Sequence, residues 1–276
     1  LDEQYLYTDF DPEGAYSVPY TWGTVGIIYN TQYVDEEDTH SWDLLWDERY
    51  IGEILMFSNP RDSFAIALKR LGYSMNSTSE EELRDACESL KDQKALVQAY
   101  VMDEIFDKME GEEAMIAPYY AGDAIVMAEE NPNLAFSVPD EGTNRFIDSI
   151  CIPSNAKQKE AAEMYINFLC EPQVAAENIT YIGYSTPNLA AYDLLDEQMQ
   201  QNEIAYPAQE VLTNTEAFVF LPAETSTLMD KLWTEILSND KNYSKWTIPA
   251  FLLVGILFSI GINVRRMILK KKENLM

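Results

Sequence analysis

The chain has 276 residues with a hydrophobic fraction of 47%, enough for one large or two modest cores. Its formal charge is -28, and residues 241–276 hold seven basic residues against the single acid Glu273, so residues 1–240 carry -34. So acidic a surface repels nucleic acid and anionic head groups and gathers cations, which argues against a nucleic-acid partner; it would also serve simply to keep a secreted protein in solution.

In chain order, residues 25–29 and 54–57 read as short buried strands. Between them lies the single histidine, His40, in a loop-like stretch where Ser41 is placed to cap a short helix. An amphipathic helix over 62–71 is stopped by Gly72, and Ser79-Glu80-Glu81-Glu82 has the pattern of a capping box opening a helix to about Lys91. Further strands are expected at 114–117 and 134–138, and further helices at 156–169 and 225–237. Strands interleaved with helices predict an α/β architecture with largely parallel sheets. The run 247–264 has no charged side chain and is followed at once by RRMILKKK, with Tyr243 and Trp246 as interfacial anchors. That pattern predicts one transmembrane helix over 246–269, a cytoplasmic basic tail at 270–276 and an extracytoplasmic location for residues 1–240. The chain opens on Leu1 with no signal peptide, which reads as the truncated start of a longer gene product.

No residue is assigned a catalytic role. Glycine-rich phosphate loops, GxSxG elbows and HExxH are absent, and His40 has no nucleophile motif beside it. No cofactor or metal is called: Cys87, Cys151 and Cys170 are odd in number and lack metal-ligand spacing. Binding has more support, because aromatics stand where strands give way to helices, the position at which open α/β sheets hold ligands. Tyr119-Tyr120 precede Ala121-Gly122-Asp123, Asn59-Pro60-Arg61-Asp62 follow the strand at 54–57, and Phe146-Ile147-Asp148 lead into an apolar run. Gly183-Tyr184-Ser185-Thr186-Pro187-Asn188 is a turn exposing a tyrosine. Aromatic faces can cover the methylenes of an organic polycation while carboxylates pair with its ammoniums. Ordinary core packing accounts for any one of these aromatics equally well, and a turn role for Asp148.

Several linked segments also resemble a known family. YSVPYTWGTVGIIYN (16–30), SWDLLWDERYIGEI (41–54), ALKRLGYSMNST (67–78), FIDSICIPSNAKQKEAAEMYINFL (146–169) and YIGYSTPNLAA (181–191) resemble, in order and with similar gaps, the spermidine/putrescine-binding proteins. The resemblance implies two α/β lobes of the periplasmic-binding-protein type (type II), joined by crossing strands at 18–29 and 146–153, with a polyamine in the cleft. It puts Asp148 at an acid holding an amine, Phe146 and Tyr120 at aromatic walls, Tyr184 at a tyrosine reaching the ligand and Asp62 at an ammonium-binding glutamate. Two positions depart: Asn59 stands where the family can have aspartate, and Phe218 falls near a family glutamine.

The implied organisation is a remnant of the first lobe and hinge at 1–24, a second lobe at 25–147, a return to the first lobe at 148–190, and helices at 191–240 packing mainly on the second lobe. The implied function is that of an ABC importer's substrate-binding component, with polyamine, permease subunits and the lipid bilayer as partners. A receptor for another small cationic or polar solute and a membrane-anchored hydrolase stand as alternatives.

Overall fold

The longest strand, β1 (Ser17–Asn30), has 14 residues and so reaches about 45 Å. The computed structural model describes residues 1–8 and 10–239; the expected membrane span at 246–269 and tail at 270–276 lie outside the described residues. Among the described residues no helix is long and apolar enough to cross a membrane. After β1 come β2 (Ile54–Phe57), α1 (Pro60–Arg70), α2 (Glu80–Gln93), β3 (Val97–Val101), α3 (Ile105–Glu110), β4 (Ile116–Tyr120), α4 (Ala121–Glu130) and β5 (Leu134–Ser137). β6 (Thr143–Cys151), α5 (Lys159–Leu169), α6 (Pro172–Ile182), α7 (Leu189–Tyr192), α8 (Glu197–Gln200), α9 (Gln209–Thr213), β7 (Thr215–Glu216) and α10 (Ala223–Ser238) complete the described chain.

The sheet is mixed, where a largely parallel one was expected. Its order is β3-β2-β4-β1-β6-β7, with β5 also paired to β1. β2 is parallel to β3 and β4, but β1 runs antiparallel to β4, β5 and β6. One strand serves two neighbourhoods: residues 25–30 of β1 pair with β4 and β5, and residues 17–24 pair with β6. The antiparallel pairing also moves a boundary. Val25 stands opposite Tyr120 and Tyr29 opposite Ile116, so the strand expected at 114–117 begins at Ile116 and takes in Tyr119 and Tyr120.

Residues 1–236 form one unit holding two apolar clusters of very unequal size. The larger gathers β2, β4 and the second half of β1 under α1, α2 and α10. All four residues of β2 are buried, as a strand flanked on both sides and covered on both faces requires. The smaller cluster rests on Ala175, Ala176, Ile179, Ala191 and Leu195. The helices after residue 190 divide between them: α7 and α8 contribute Ala191 and Met199 to the smaller cluster, while α10 sends Met229, Leu232, Trp233 and Ile236 into the larger.

Local chemistry sets the helix ends. Asn59 Oδ1 accepts from the backbone N–H of Asp62, and Pro60 opens α1 where its missing N–H costs nothing. Ser79 Oγ accepts from the Glu82 N–H, but the Ser79 N–H donates to Ser77 Oγ, so the cap works in one direction and is not a full box. Ser41 Oγ likewise caps the short helix Trp42–Trp46 by accepting from the Asp43 N–H. α5 starts three residues later than expected because residues 153–156 close a turn, Ala156 N–H donating to the Pro153 carbonyl at 2.9 Å.

Candidate ligand-binding site

All six expected site residues fall in one neighbourhood beside the β1–β6 pairing, Asn59 joining it through Asp62. Phe146 lies opposite Gly23, and Asp148 opposite Thr21, on the same face of β6 because strand side chains alternate. A Cβ on Gly23 would come within 2.7 Å of the Phe146 ring, so glycine at this position lets the ring lie across β1. Asp148 is exposed, and its Oδ2 accepts from the Thr21 hydroxyl at 2.7 Å.

A row of rings runs beside these residues. The Phe146 ring meets Tyr120 edge to face at 5.4 Å between centroids and Tyr184 at 6.0 Å; Tyr120 in turn sits 5.4 Å from Phe57 and 4.9 Å from Tyr119. Tyr184 is delivered by the end of α6. Gly183 takes φ +75°, a left-handed cap that turns the chain back, and the Tyr184 ring then covers Gly122, where a Cβ would fall 2.1 Å from it.

Each end of the row carries a carboxylate. Buried Asp62 accepts from Asn59 Nδ2 at 2.7 Å and from the Tyr120 hydroxyl at 3.2 Å. Burial raises its pKa above the ordinary carboxylate range, against the opposing pull of those two hydrogen bonds and the charge of Arg61. Asp123, at the start of α4, accepts from the Tyr184 hydroxyl at 2.9 Å. Burial pushes its pKa up to about 6; the Tyr184 hydrogen bond opposes this, and the negative charges of Asp103 and Asp148 add to it. Burial and these same carboxylates raise the Tyr120 and Tyr184 hydroxyls, keeping both as neutral donors. Among the described residues, Asp62, Asp123 and Asp148 have no Lys or Arg within ion-pair distance.

Asn59 is the expected residue with the most internal employment. Its carbonyl caps α1 and its amide holds Asp62, with a further long contact to Met102 Sδ at 3.6 Å. Phe218 lies under the Arg61 guanidinium at 4.2 Å. Asp123 was not anticipated as a site residue; its signal was its place three residues past the Tyr119-Tyr120 strand end, in the first turn of a helix.

The result is a partly desolvated aromatic row with three carboxylates that no Lys or Arg among the described residues neutralises by an ion pair. The family described as bacterial extracellular solute-binding protein matches residues 2–215. The chain belongs to the bacterial extracellular solute-binding proteins. Among relatives of this solute-binding protein, the spermidine/putrescine-binding periplasmic protein of Escherichia coli is 38% identical over 217 residues, covering 78% of this chain. The match spans 62% of the length of that relative. A Listeria monocytogenes structure, provisionally assigned to spermidine/putrescine ABC transport, superposes with a TM-score of 0.82 at 34% identity, over 86% of this chain and 74% of that one. The spermidine/putrescine ABC transporter substrate-binding protein of Streptococcus pneumoniae gives 0.75 at 32% identity, over 86% and 76%. Those similarities carry the two-domain α/β fold expected from the sequence.

Proposed function

We propose that this chain is the substrate-binding component of an ABC importer for polyamines, taking up putrescine or spermidine outside the membrane and passing it to permease subunits. The observation that carries the proposal is the set of unpaired carboxylates, Asp62, Asp123 and Asp148, strung along the Tyr120–Phe146–Tyr184 row. Two ammoniums joined by methylenes match it: each charge meets a carboxylate and the chain between lies along ring faces. The names of the relatives point to the same ligand class. In this reading Asp148 and Asp123 hold one ammonium, Asp62 the other, and Asn59 orients Asp62. The protein binds its ligand without converting it.

The lobes follow from the same reading. Residues 1–24 and 148–190 belong to one lobe and 25–147 to the other, with β1 and β6 crossing between them. A membrane anchor at 246–269, supported by the uncharged run 247–264 and the bases after it, would hold the receptor near its permease and raise its effective concentration there.

A thermal-shift panel on the full chain in detergent micelles tests the function, with putrescine, spermidine, amino acids, phosphate and a sugar as ligands. Polyamines at about 100 times Kd should stabilise the fold by about 2.7 kcal/mol, and phosphate should not. Stabilisation by the sugar or phosphate without any by polyamines would overturn the proposal, as would turnover of any ligand.

A further inference from the structure

Arg61 stands between Asp62 and the segment that follows β7, and the groups that hold it are all neutral. Its Nη1 donates to the Met75 carbonyl at 3.0 Å, and its Nη2 donates to Asn76 Oδ1 at 2.6 Å and toward the Val219 carbonyl at 3.5 Å. The guanidinium lies over the Phe218 ring, 4.2 Å from its centroid. The Asp62 carboxylate is on the next residue, yet among the described residues no ion pair joins the two. Helix electrostatics make a cation costly at this position. Arg61 is the second residue of α1, where the backbone presents positive charge and an acid is favoured, as at Asp62 one position on. Arg61 is also half-buried, and that burial lowers its pKa.

Bracing the segment 217–219 does not require a guanidinium. Asn76 already holds it, its amide donating to the Ala217 carbonyl at 2.8 Å and its oxygen accepting from the Val219 N–H at 3.1 Å. Glu216 adds an ion pair to Lys69 at 2.9 Å. What a neutral side chain would not supply is a positive charge close to Asp62. Burial disfavours the charged form of Asp62, and the hydrogen bonds from Asn59 and Tyr120 and the charge of Arg61 oppose that. A guanidinium closed onto the carboxylate would instead occupy the oxygens on which an ammonium must rest. The other titratable groups around Asp62 do not stand in for Arg61. Tyr119 and Tyr120 from β4 are neutral phenols, and Lys69, which lines the same narrow cleft as Asp62, is committed to Glu216.

We propose that Arg61 is a positioning residue for Asp62: Phe218, Met75 and Asn76 hold its guanidinium near enough to lend the carboxylate a positive neighbour and too firmly to close an ion pair on it. Phe218 gives the clamp its character, because a ring face attracts a cation without neutralising it. The inference rests on the reading of Asp62 as a holder of ammonium, and extends the site to two residues that need touch no ligand.

The test begins on the full chain in detergent micelles without ligand. The carbon-13 shift of the Asp62 carboxyl, assigned by its loss in Asp62→Asn, follows the titration of that group. Arg61→Met removes the charge and should move the Asp62 midpoint upward. Phe218→Leu frees the guanidinium to reach the carboxylate and should move the midpoint downward, while Phe218→Tyr keeps a ring face and should retain the wild-type titration. Calorimetric titration with putrescine is the second readout. Phe218→Leu should weaken binding roughly three- to tenfold, since the freed guanidinium competes with the ammonium, and Phe218→Tyr should not. Arg61→Met should weaken binding more at pH 6 than at pH 8, because an Asp62 that keeps its proton to higher pH carries less charge at pH 6. A brace without electrostatic effect predicts lower unfolding midpoints in urea and no opposed shifts. An Asp62 midpoint unmoved in both Arg61→Met and Phe218→Leu, or moved in the same direction in both, would overturn the proposal. Opposed shifts in a protein that binds no putrescine would uphold the clamp and count against the polyamine reading instead.

Discussion

Replacing Asp123 with asparagine should weaken putrescine binding at pH 7.5 by roughly one to two decades and flatten its dependence on pH between 5 and 7. Burial places the Asp123 pKa at about 6, so near that pH the empty site carries only part of its charge there. An ammonium resting on the carboxylate favours the ionised form by about 1.5 to 3 kcal/mol, which lowers the pKa of the bound state by about one to two units. Binding at pH 6 therefore expels about half a proton, whereas at pH 7.5 it expels almost none. Below pH 6 the affinity should fall by up to about tenfold per pH unit until the bound-state pKa is reached.

The same shift acts on the fold with the opposite sign. A folded-state pKa raised above the unfolded value means that the folded chain holds the proton more tightly, so this group favours folding as the pH drops from about 6 toward the unfolded value near 4. The empty protein gains stability from Asp123 over the window in which it loses ligand. Titration calorimetry in two buffers of different ionisation enthalpy counts the protons directly. Comparison with Asp123→Asn isolates the Asp123 share. If wild type and variant show the same ratio of dissociation constants at pH 5.5 and 7.5, Asp123 does not face the ammonium.

Asp148→Asn should weaken putrescine binding by roughly one to two decades, from the loss of a charge-assisted contact of about 1.5 to 3 kcal/mol. Its unfolding midpoint in urea should hardly move, because Asp148 is exposed and its hydrogen-bond partner is the Thr21 hydroxyl. Gly122→Ala would set a methyl 2.1 Å from the Tyr184 ring, displacing it from Asp123; a loss of about 1 to 3 kcal/mol in urea unfolding and weaker putrescine binding by calorimetry are expected together. On intact cells, protease should reach residues 1–239 and spare a tag placed after Met276; the reverse pattern would refute the anchored topology.

The pairing of Phe146 with Asp148 was readable before any coordinates, because two-residue spacing in a strand fixes a common face and both residue types suit a cation. So were α1 and α2, whose caps at Asn59 and Ser79 are local chemistry. What stayed hidden depends on partners distant in the chain. That β1 reaches back before Val25 follows from its pairing with β6, some 130 residues away; local periodicity is silent about it, and only the family resemblance implied a strand from residue 18. Neither β3, whose VQAYV is partly exposed, nor α6, introduced by Pro172, has the uniform apolar run that marks a buried element. Asp123 looked like one acid among many, and what sets it apart is a tyrosine brought 61 positions along the chain to within 2.9 Å. Asn59 read as a lost carboxylate; in the fold its amide does what an aspartate cannot, donating to Asp62 while its oxygen caps α1.

The position of the site follows from how β1 divides its partners. Up to Thr24 its neighbour is β6, and from Val25 onward its neighbours are β4 and β5, so the strand changes company within one residue step. At that step the β1 residues are buried, Thr24 and Val25 among them, and what stays half-buried is the set of side chains packed beside them, Tyr120, Asp123, Phe146 and Tyr184. Intermediate burial suits the cation receptor proposed above. A carboxylate fully in water attracts an ammonium weakly, and one fully in a core takes up a proton in place of it. Asp62, Asp123 and Asp148 sample that range in order of decreasing burial, from a pKa raised inside the α1 start to an exposed position on β6. On the proposed function, the starts of α1 and α4 together with β6 supply a gradient of desolvation along which the two ends of a diamine would meet carboxylates of different strength.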